Sequence, residues 1–502
     1  MGTEKQLKNL AKDTAIYGSG EAFLKVFSIL LSFITVPIFT RIFNTADYGL
    51  MELLGNISCF LAPLMILTFD QAIVLLYYEL KTELEKKRMI TTGYFIILVW
   101  SIILLACLSY LSEEISYFFT EKNEYALFFQ IIFISAVSLS LVNYGKTILR
   151  ITFKPGLFSL ISVCSGLSAN LAGLILVIAF GFRILGIFSA AMTINILTAL
   201  ATLYFIKENF TWNFSLKYGI NLIKIGIPLM FSSIILTVNS LTDRYFIIKL
   251  LSMEDMGLYS IGFKFASILA MILTWFGMAF APNMLKNYYE GEEYRDYFKK
   301  IYYYLFSFFF ITAFFICSGS RVALYLLTPP LYHSAHTTVS ALSLSMVYTA
   351  LFIITMAGFQ IFKRVKLLFF ISVIQLLLNI ILNLLLIPVY GINGAAVATA
   401  ISSGLFLFGT ALCSQKMLTI NFLISSKIIF LYILYSGILM SFSIFTIKSV
   451  WLDFATKFFI SIIMAFLIYL FKLIEKDDLK NMLKFLKLAT DKFKKITKMK
   501  KD

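Results

Sequence analysis

The chain is poor in histidine and proline and has no polar loop between its apolar runs long enough to form a domain. Each shortage removes a class of function. The two histidines, His333 and His336, have no third ligand at a metal-site spacing, so no metal centre is expected. The five cysteines, Cys59, Cys107, Cys164, Cys317 and Cys413, all lie in apolar runs, and none forms a C-x-x-C. They read as small core residues rather than as disulfide or zinc partners. A phosphate-binding glycine loop, a Ser/His/Asp set and paired carboxylates in a soluble domain are all missing. No loop is long enough to fold as a catalytic domain. The expectation is a protein that is not an enzyme and carries no cofactor.

What is present is apolar. Hydrophobic residues make up 60% of the 502, and the mean hydropathy is +0.88. Windows of about twenty apolar residues recur between short charged loops, the pattern of an all-α integral membrane protein. Fourteen spans are expected, at roughly 14–40, 50–78, 89–111, 125–147, 156–181, 184–206, 220–242, 256–281, 301–320, 334–362, 367–389, 391–415, 421–447 and 452–474. The polar start, with Lys5, Lys8 and Lys12, is followed by no small-residue cleavage site, so the first span is expected to be retained.

Charge of one sign dominates. The net charge is +16, and on the fourteen-span reading 33 of the 43 Lys and Arg fall on the side of the termini. The other side keeps eight: Arg41, Lys122, Arg183, Arg244, Lys249, Arg321, Lys448 and Lys457. That asymmetry places both termini in the cytoplasm, in the inner cell membrane, and explains the basic balance without nucleic acid. The longest polar loop on the terminal side is Asn283–Lys300, and the longest on the other are Ser112–Glu124 and Thr328–His336. Residues 475–502 form a basic tail that either lies as an amphipathic helix on an anionic leaflet or stays solvated.

The chain repeats itself. Gly49 and Gly257 are 208 apart in matching Asp-x-Gly-Leu turns, and Gly186 and Gly394 share that spacing. Phe153-Lys154 pairs with Phe362-Lys363, Asn170 with Asn379, and Phe180-Gly181 with Tyr390-Gly391, at 209 or 210. Ordered matches of this kind indicate duplication. Two pseudo-twofold-related six-helix bundles, 1–210 and 211–418, are expected, with two added helices over 419–474. A cavity lined by spans one, two, seven and eight should separate the bundles.

Several short patterns carry a family resemblance: Pro37-x-x-Thr40-Arg41 with Tyr48-Gly49, Phe69-Asp70-Gln71-Ala72-Ile73-Val74 with Tyr77-Tyr78-Glu79, Asp243-Arg244-Tyr245-Phe246-Ile247, and Gly391-x-x-Gly394-Ala395-Ala396. In this order they resemble Wzx-type polysaccharide flippases of the multidrug/oligosaccharidyl-lipid/polysaccharide superfamily, nearly end to end. The resemblance implies a MATE-like fold and a polyprenyl-pyrophosphate-linked oligosaccharide carried from the inner to the outer leaflet. It also implies membrane lipids as partners and a link to polysaccharide polymerase machinery; a monomer is expected. One departure stands out: Leu75-Leu76 follow Ala72-Ile73-Val74, where such proteins often have an Arg.

Ionisable groups inside spans are costly and mark pathways. Glu21 and Lys25 share a helix face, either as a self-neutralised pair or as a cavity pair in which Lys25 meets a pyrophosphate. Lys264, Arg244 and Arg41 are the other headgroup-binding candidates, with snorkelling or interfacial anchoring as their plainer roles. Asp70 and Asp243 join Glu21 as charge-pair or coupling candidates, for H+ or Na+; Asp70 could equally cap a helix. Asn170, Asn239 and Asn379 are the polar cavity candidates, and Gln375 and Asn383 resemble them; interhelical hydrogen bonding is their simpler role. Two other readings stand beside the flippase. A cation-coupled multidrug antiporter would favour acids over bases in the cavity. A membrane polymerase or glycosyltransferase would need an outer domain or an acidic pair at the membrane surface.

Overall fold

The computed structural model describes residues 34–77, 79–290, 294–362, 364–420, 425–471 and 473, and all regular structure among them is helical. The helices are α1 (34–42), α2 (Thr45–Ile66), α3 (Phe69–Tyr77), α4 (Glu83–Tyr110), α5 (Ser112–Thr120), α6 (Ala126–Ile151), α7 (Pro155–Ile178), α8 (Arg183–Ile206), α9 (Leu216–Leu250), α10 (Met253–Glu290), α11 (Tyr294–Leu327), α12 (His336–Ile361), α13 (Val365–Tyr390), α14 (Ile392–Met417), α15 (Ser426–Ile444) and α16 (Val450–Leu470). Among the described residues, thirteen helices are long and apolar enough to cross a membrane, one for each expected span from the second to the fourteenth. Most of the first span, with Glu21 and Lys25, lies outside the described residues, as do Lys363 and the tail 475–502.

Local chemistry explains the starts and stops. Asn44 caps α2 by accepting from the Asp47 amide at 2.7 Å. Thr82 and Glu85 form a reciprocal capping box on α4. The expected second span is not one helix. It breaks at Leu67 and Thr68, both with left-handed backbone (φ 53 and 48). The Thr68 hydroxyl donates to the Gly226 carbonyl of α9 at 2.7 Å, so a tertiary bond takes over where the helical ladder stops. Asp70 therefore sits in the first turn of α3. The polar stretch 283–300 also departs from expectation: α10 runs through to Glu290 and α11 starts at Tyr294. Helices of 35, 38 and 34 residues (α9, α10, α11) are about 51–57 Å long, well beyond the roughly 30 Å of hydrocarbon, so their polar ends continue as helix outside it.

Packing divides the chain into two compact units. The first comprises Met1–Lys264, Leu327–Ala335 and Ser372–Ala398; the second Phe265–Leu326, His336–Ile371 and Thr399–Asp502. In the first, α6 packs on α8, α2 and α4, and α7 on α8. Its core gathers Phe69, Ala72, Ile73, Met89, Tyr144 and Ile148. In the second, α15 packs on α12, and hydroxyl contacts tie the tyrosines together: Tyr302 to Tyr432 at 2.6 Å, Tyr348 to Ser436 at 2.9 Å. α16 is fastened by Asp453, 1% exposed, which meets Lys457 at 2.9 Å and Arg321 of α11 at 3.3 Å. The cysteines depart from their expected core role. Cys59, Cys107 and Cys164 are exposed and only Cys317 is fully buried. On a membrane helix the outward face meets lipid, where a weakly polar thiol is at home.

Ion pairs within the first unit agree with the expected alternation of loops. Arg183 pairs with Asp47, and Lys249 with Glu121 at 3.1 Å, joining residues assigned to one side; Lys154 meets Glu208 at 3.6 Å on the other.

The repeated glycines meet. A Cβ on Gly49 would collide with the Met253 carbonyl oxygen, and one on Gly257 with that of Thr45. Each glycine thus faces the carbonyl four residues before the other, a symmetric backbone crossing of α2 and α10. Small residues permit such an approach between membrane helices. Gly49→Val or Gly257→Val is expected to destabilise the fold by about 1–3 kcal/mol or more, as overpacking does. Gly55→Ala should be neutral, because nothing lies within 4 Å of its Cβ position. Melting curves of purified protein check this; equal melting for all three variants would refute the crossing.

Candidate functional site

The glycine crossing positions a charge pair. Glu52 lies one turn beyond Gly49, and Lys264 two turns beyond Gly257. Side chains on a helix point back toward its N-terminus, so the long lysine stem reaches up to the carboxylate. Lys264 Nζ stands 3.0 Å from Glu52 Oε1, with the side chains 17% and 21% exposed. The ammonium also lies 5.0 Å from the centroid of the Tyr48 ring. Tyr48 is wholly buried and packs edge-on against Tyr332 at 5.9 Å. The Tyr332 hydroxyl in turn donates to the Phe43 carbonyl at 2.9 Å. Acid, base and ring form one set: the base is paired with the acid, and the ammonium also stands against the Tyr48 ring.

A second polar group forms around Asp243 of α9, which is buried. Its Oδ2 accepts from the Tyr259 hydroxyl at 2.8 Å, and its Oδ1 from Asn383 Nδ2 at 2.8 Å. That same amide is 3.0 Å from Asn379 Oδ1, one turn along α13. Asn383 Oδ1 is buried and accepts no hydrogen bond among the described residues. Asp243, Asn379 and Asn383 therefore gather oxygens from two helices in a dry setting. Such a cluster can hold a proton or a hard cation, which oxygen donors suit. The neighbouring Arg244 is buried as well, its guanidinium 4.8 Å from the centroid of the Phe263 ring.

The other expected site residues do not join these groups. Arg41 is exposed at the end of α1. Asn170 is exposed, and its amide donates to Gly166 of its own helix at 2.8 Å. Asp70 and Asn239 are half-buried, and each keeps a buried side-chain oxygen with no hydrogen bond among the described residues. His333 Nε2 contacts the Thr328 carbonyl at 3.1 Å, a loop-closing role. Sequence reading missed Glu52 as the partner of Lys264 and Tyr259 as the partner of Asp243. An acid within the second span was a usable signal for Glu52. No signal existed for Tyr259, one of 27 tyrosines.

Comparison with known proteins agrees with this architecture. The family model for polysaccharide biosynthesis proteins matches residues 21–288, and a MatE model matches 228–385. Among solved structures, the lipid II flippase MurJ in an inward closed conformation aligns with a TM-score of 0.66 at 16% identity, covering 90% of this chain and 97% of that one. An inward-facing multidrug resistance MATE transporter of the MOP superfamily aligns with a TM-score of 0.64 at 15% identity, covering 79% and 98%. A MOP superfamily transporter from Pyrococcus furiosus, described by the reverse polarity of its binding pocket, aligns at 0.56 and 14%, covering 81% and 96%. Searching curated proteins finds no match. At these identities the likeness is one of fold: a MOP-type transporter fold.

The Glu52–Lys264 contact predicts strong coupling. Removing one partner leaves a charge buried, at a cost of about 3–5 kcal/mol. Glu52→Gln or Lys264→Gln alone should lower the melting temperature markedly, and the double variant should recover much of the loss. A double-mutant cycle on purified protein reads this directly. Purely additive single effects would show that the pair is not coupled.

Proposed function

This chain belongs to the polysaccharide biosynthesis protein family, and from that membership we propose that it is a flippase for a polyprenyl-pyrophosphate-linked oligosaccharide. The observation that carries the reading is where the family match falls. Residues 21–288 enclose Glu21, Lys25, Glu52, Asp243, Arg244 and Lys264, the charges available to an anionic cargo. A pyrophosphate cannot cross hydrocarbon bare, since desolvating an ion costs on the order of 20 kcal/mol by the Born estimate. The carrier must supply cations and then release its cargo. Lysine suits this better than arginine, because it is a point charge without a rigid bidentate fork. Lys25, four positions after Glu21 in the sequence, is the leading headgroup contact; Lys264, held by Glu52, and Arg244 assist. Cargo phosphate competes with the acid for each lysine, so binding loosens the pair and favours the alternate state. Asp243, with Asn379 and Asn383, is the site proposed for the coupling cation, H+ or Na+. The fold neighbours are transporters and a flippase, in keeping with transport rather than catalysis.

Reconstitution tests this. The full chain in liposomes with a fluorescent polyprenyl-pyrophosphate oligosaccharide should move the label across the bilayer. Lys25→Gln should slow movement by about ten- to a hundredfold, the value of a charge-assisted hydrogen bond, while Lys25→Arg keeps part of it. Asp243→Asn should leave cargo binding intact but abolish acceleration by an imposed sodium or proton gradient. A protein that ignores the labelled lipid and extrudes a cationic dye would overturn the reading in favour of a multidrug antiporter.

We also propose that both termini lie in the cytoplasm, as the 33-to-8 split of basic residues indicates. A reporter active only outside the cytoplasm should work when inserted at Lys122 and stay silent when fused at Lys487. The reverse pattern would place the termini outside.

A further inference from the structure

A groove of about 540 Å3 runs along α4 in the first unit. Its lining includes Phe95, Val99, Trp100 and Ile103 of α4, and Trp212 and Phe214 from the loop before α9. That loop is fixed. The Thr211 amide donates to Thr91 Oγ1 at 3.0 Å and the Ser215 amide to Thr92 Oγ1 at 3.1 Å. Phe210 packs edge-on against Tyr94 at 5.2 Å. Between these pins Trp212 is left 98% exposed. An indole held bare by an anchored loop matches the headgroup level of a bilayer, where Trp is enriched.

The groove has a length and a charged end. From Thr91 to Ile103 is about 18 Å of helix, close to half of a roughly 30 Å hydrocarbon core. It therefore spans one leaflet. Arg88 lies one turn before Thr91 and Thr92, at the same end as Lys87, Lys207 and Lys217. Arg88 Nε is buried and makes no hydrogen bond among the described residues. The acids at this end are engaged: Glu83 pairs with Lys86 at 2.8 Å, Glu85 bonds Thr82 at 2.9 Å and also feels Lys217, and Glu208 faces Lys154 at 3.6 Å, which leaves Arg88, Lys87 and Lys207 beyond the acids. The surplus positive charge calls for an anion, and the apolar groove calls for a hydrocarbon chain.

We propose that this groove is a site for one anionic glycerophospholipid of the adjoining leaflet. One chain lies along Phe95, Val99 and Ile103 beneath Trp212, and the phosphate faces Arg88 and Lys217. The site is separate from the charged groups of the transport reading and does not depend on the cargo.

Native mass spectrometry of the full chain in mild detergent tests it, with dioleoyl phosphatidylglycerol and dioleoyl phosphatidylcholine as probes. One phosphatidylglycerol should be retained in preference to phosphatidylcholine. Arg88→Gln with Lys217→Gln should reduce that preference by about 30-fold, about fivefold for each cation removed. Val99→Trp, at a lipid-facing position, should fill the groove and remove retention of both lipids. Equal retention of the two lipids by the unaltered chain would overturn the proposal, as would undiminished phosphatidylglycerol on Val99→Trp. Displacement by an equal amount of polyprenyl phosphate would assign the groove to the cargo's chain instead. A dimer that Val99→Trp dissolves would assign it to a second copy.

Discussion

The constraint behind the charged core is the backbone crossing of α2 and α10 at Gly49 and Gly257. Lipid does not press helices together through a hydrophobic effect, so close approach must come from packing and from backbone contacts. Glycine supplies both, because its missing Cβ leaves room for the carbonyls of Thr45 and Met253. The crossing is symmetric, which is how a duplicated sequence meets itself. Once it is made, the residues one and two turns further on have little freedom. Glu52 and Lys264 come within 3.0 Å, and Tyr48 lies under the ammonium.

Charge elsewhere is compensated locally too, at exposed positions in the first unit and at a buried one in the second. Of the eight cations assigned to the sparse side, Lys122, Arg183 and Lys249 meet acids in the first unit, and Arg321 and Lys457 share Asp453 in the second. Arg244 rests on an aromatic ring. Around Asp453 the partners offset the cost of desolvation, which is what allows charge to be retained there. Asp243 shows a second form of this compensation: a carboxylate that accepts from a tyrosine hydroxyl and from a side-chain amide.

Polar and apolar segments also trade roles across the membrane boundary. The stretch before α11 is polar enough to read as a loop, yet α10 and α11 extend through most of it. Outside the hydrocarbon, helical propensity alone suffices, and polarity no longer marks a break. The reverse holds for the second span. Its uniform apolarity hides a break at Leu67 and Thr68, which arises because Thr68 finds a partner on α9. The exposed cysteines belong here too, since an apolar sequence position can face lipid as readily as protein.

Helical class and the order of the spans from the second to the fourteenth were legible in the sequence, because crossing lipid demands about twenty apolar residues with all backbone groups satisfied internally. The repeat was legible as well, since duplication leaves matched residues at constant spacing. Membership of the family was readable from the order of short motifs around Tyr48-Gly49 and Asp243-Arg244. Partners were not. Lys264 could be singled out as a costly charge, but Glu52 lies 212 positions away. Asp243 and Asn383 are 140 apart, and nothing local links them. Only the tertiary structure decided which polar groups meet. Pairing depends on helix rotation and crossing, which a hydropathy pattern constrains weakly when most of a helix surface is apolar.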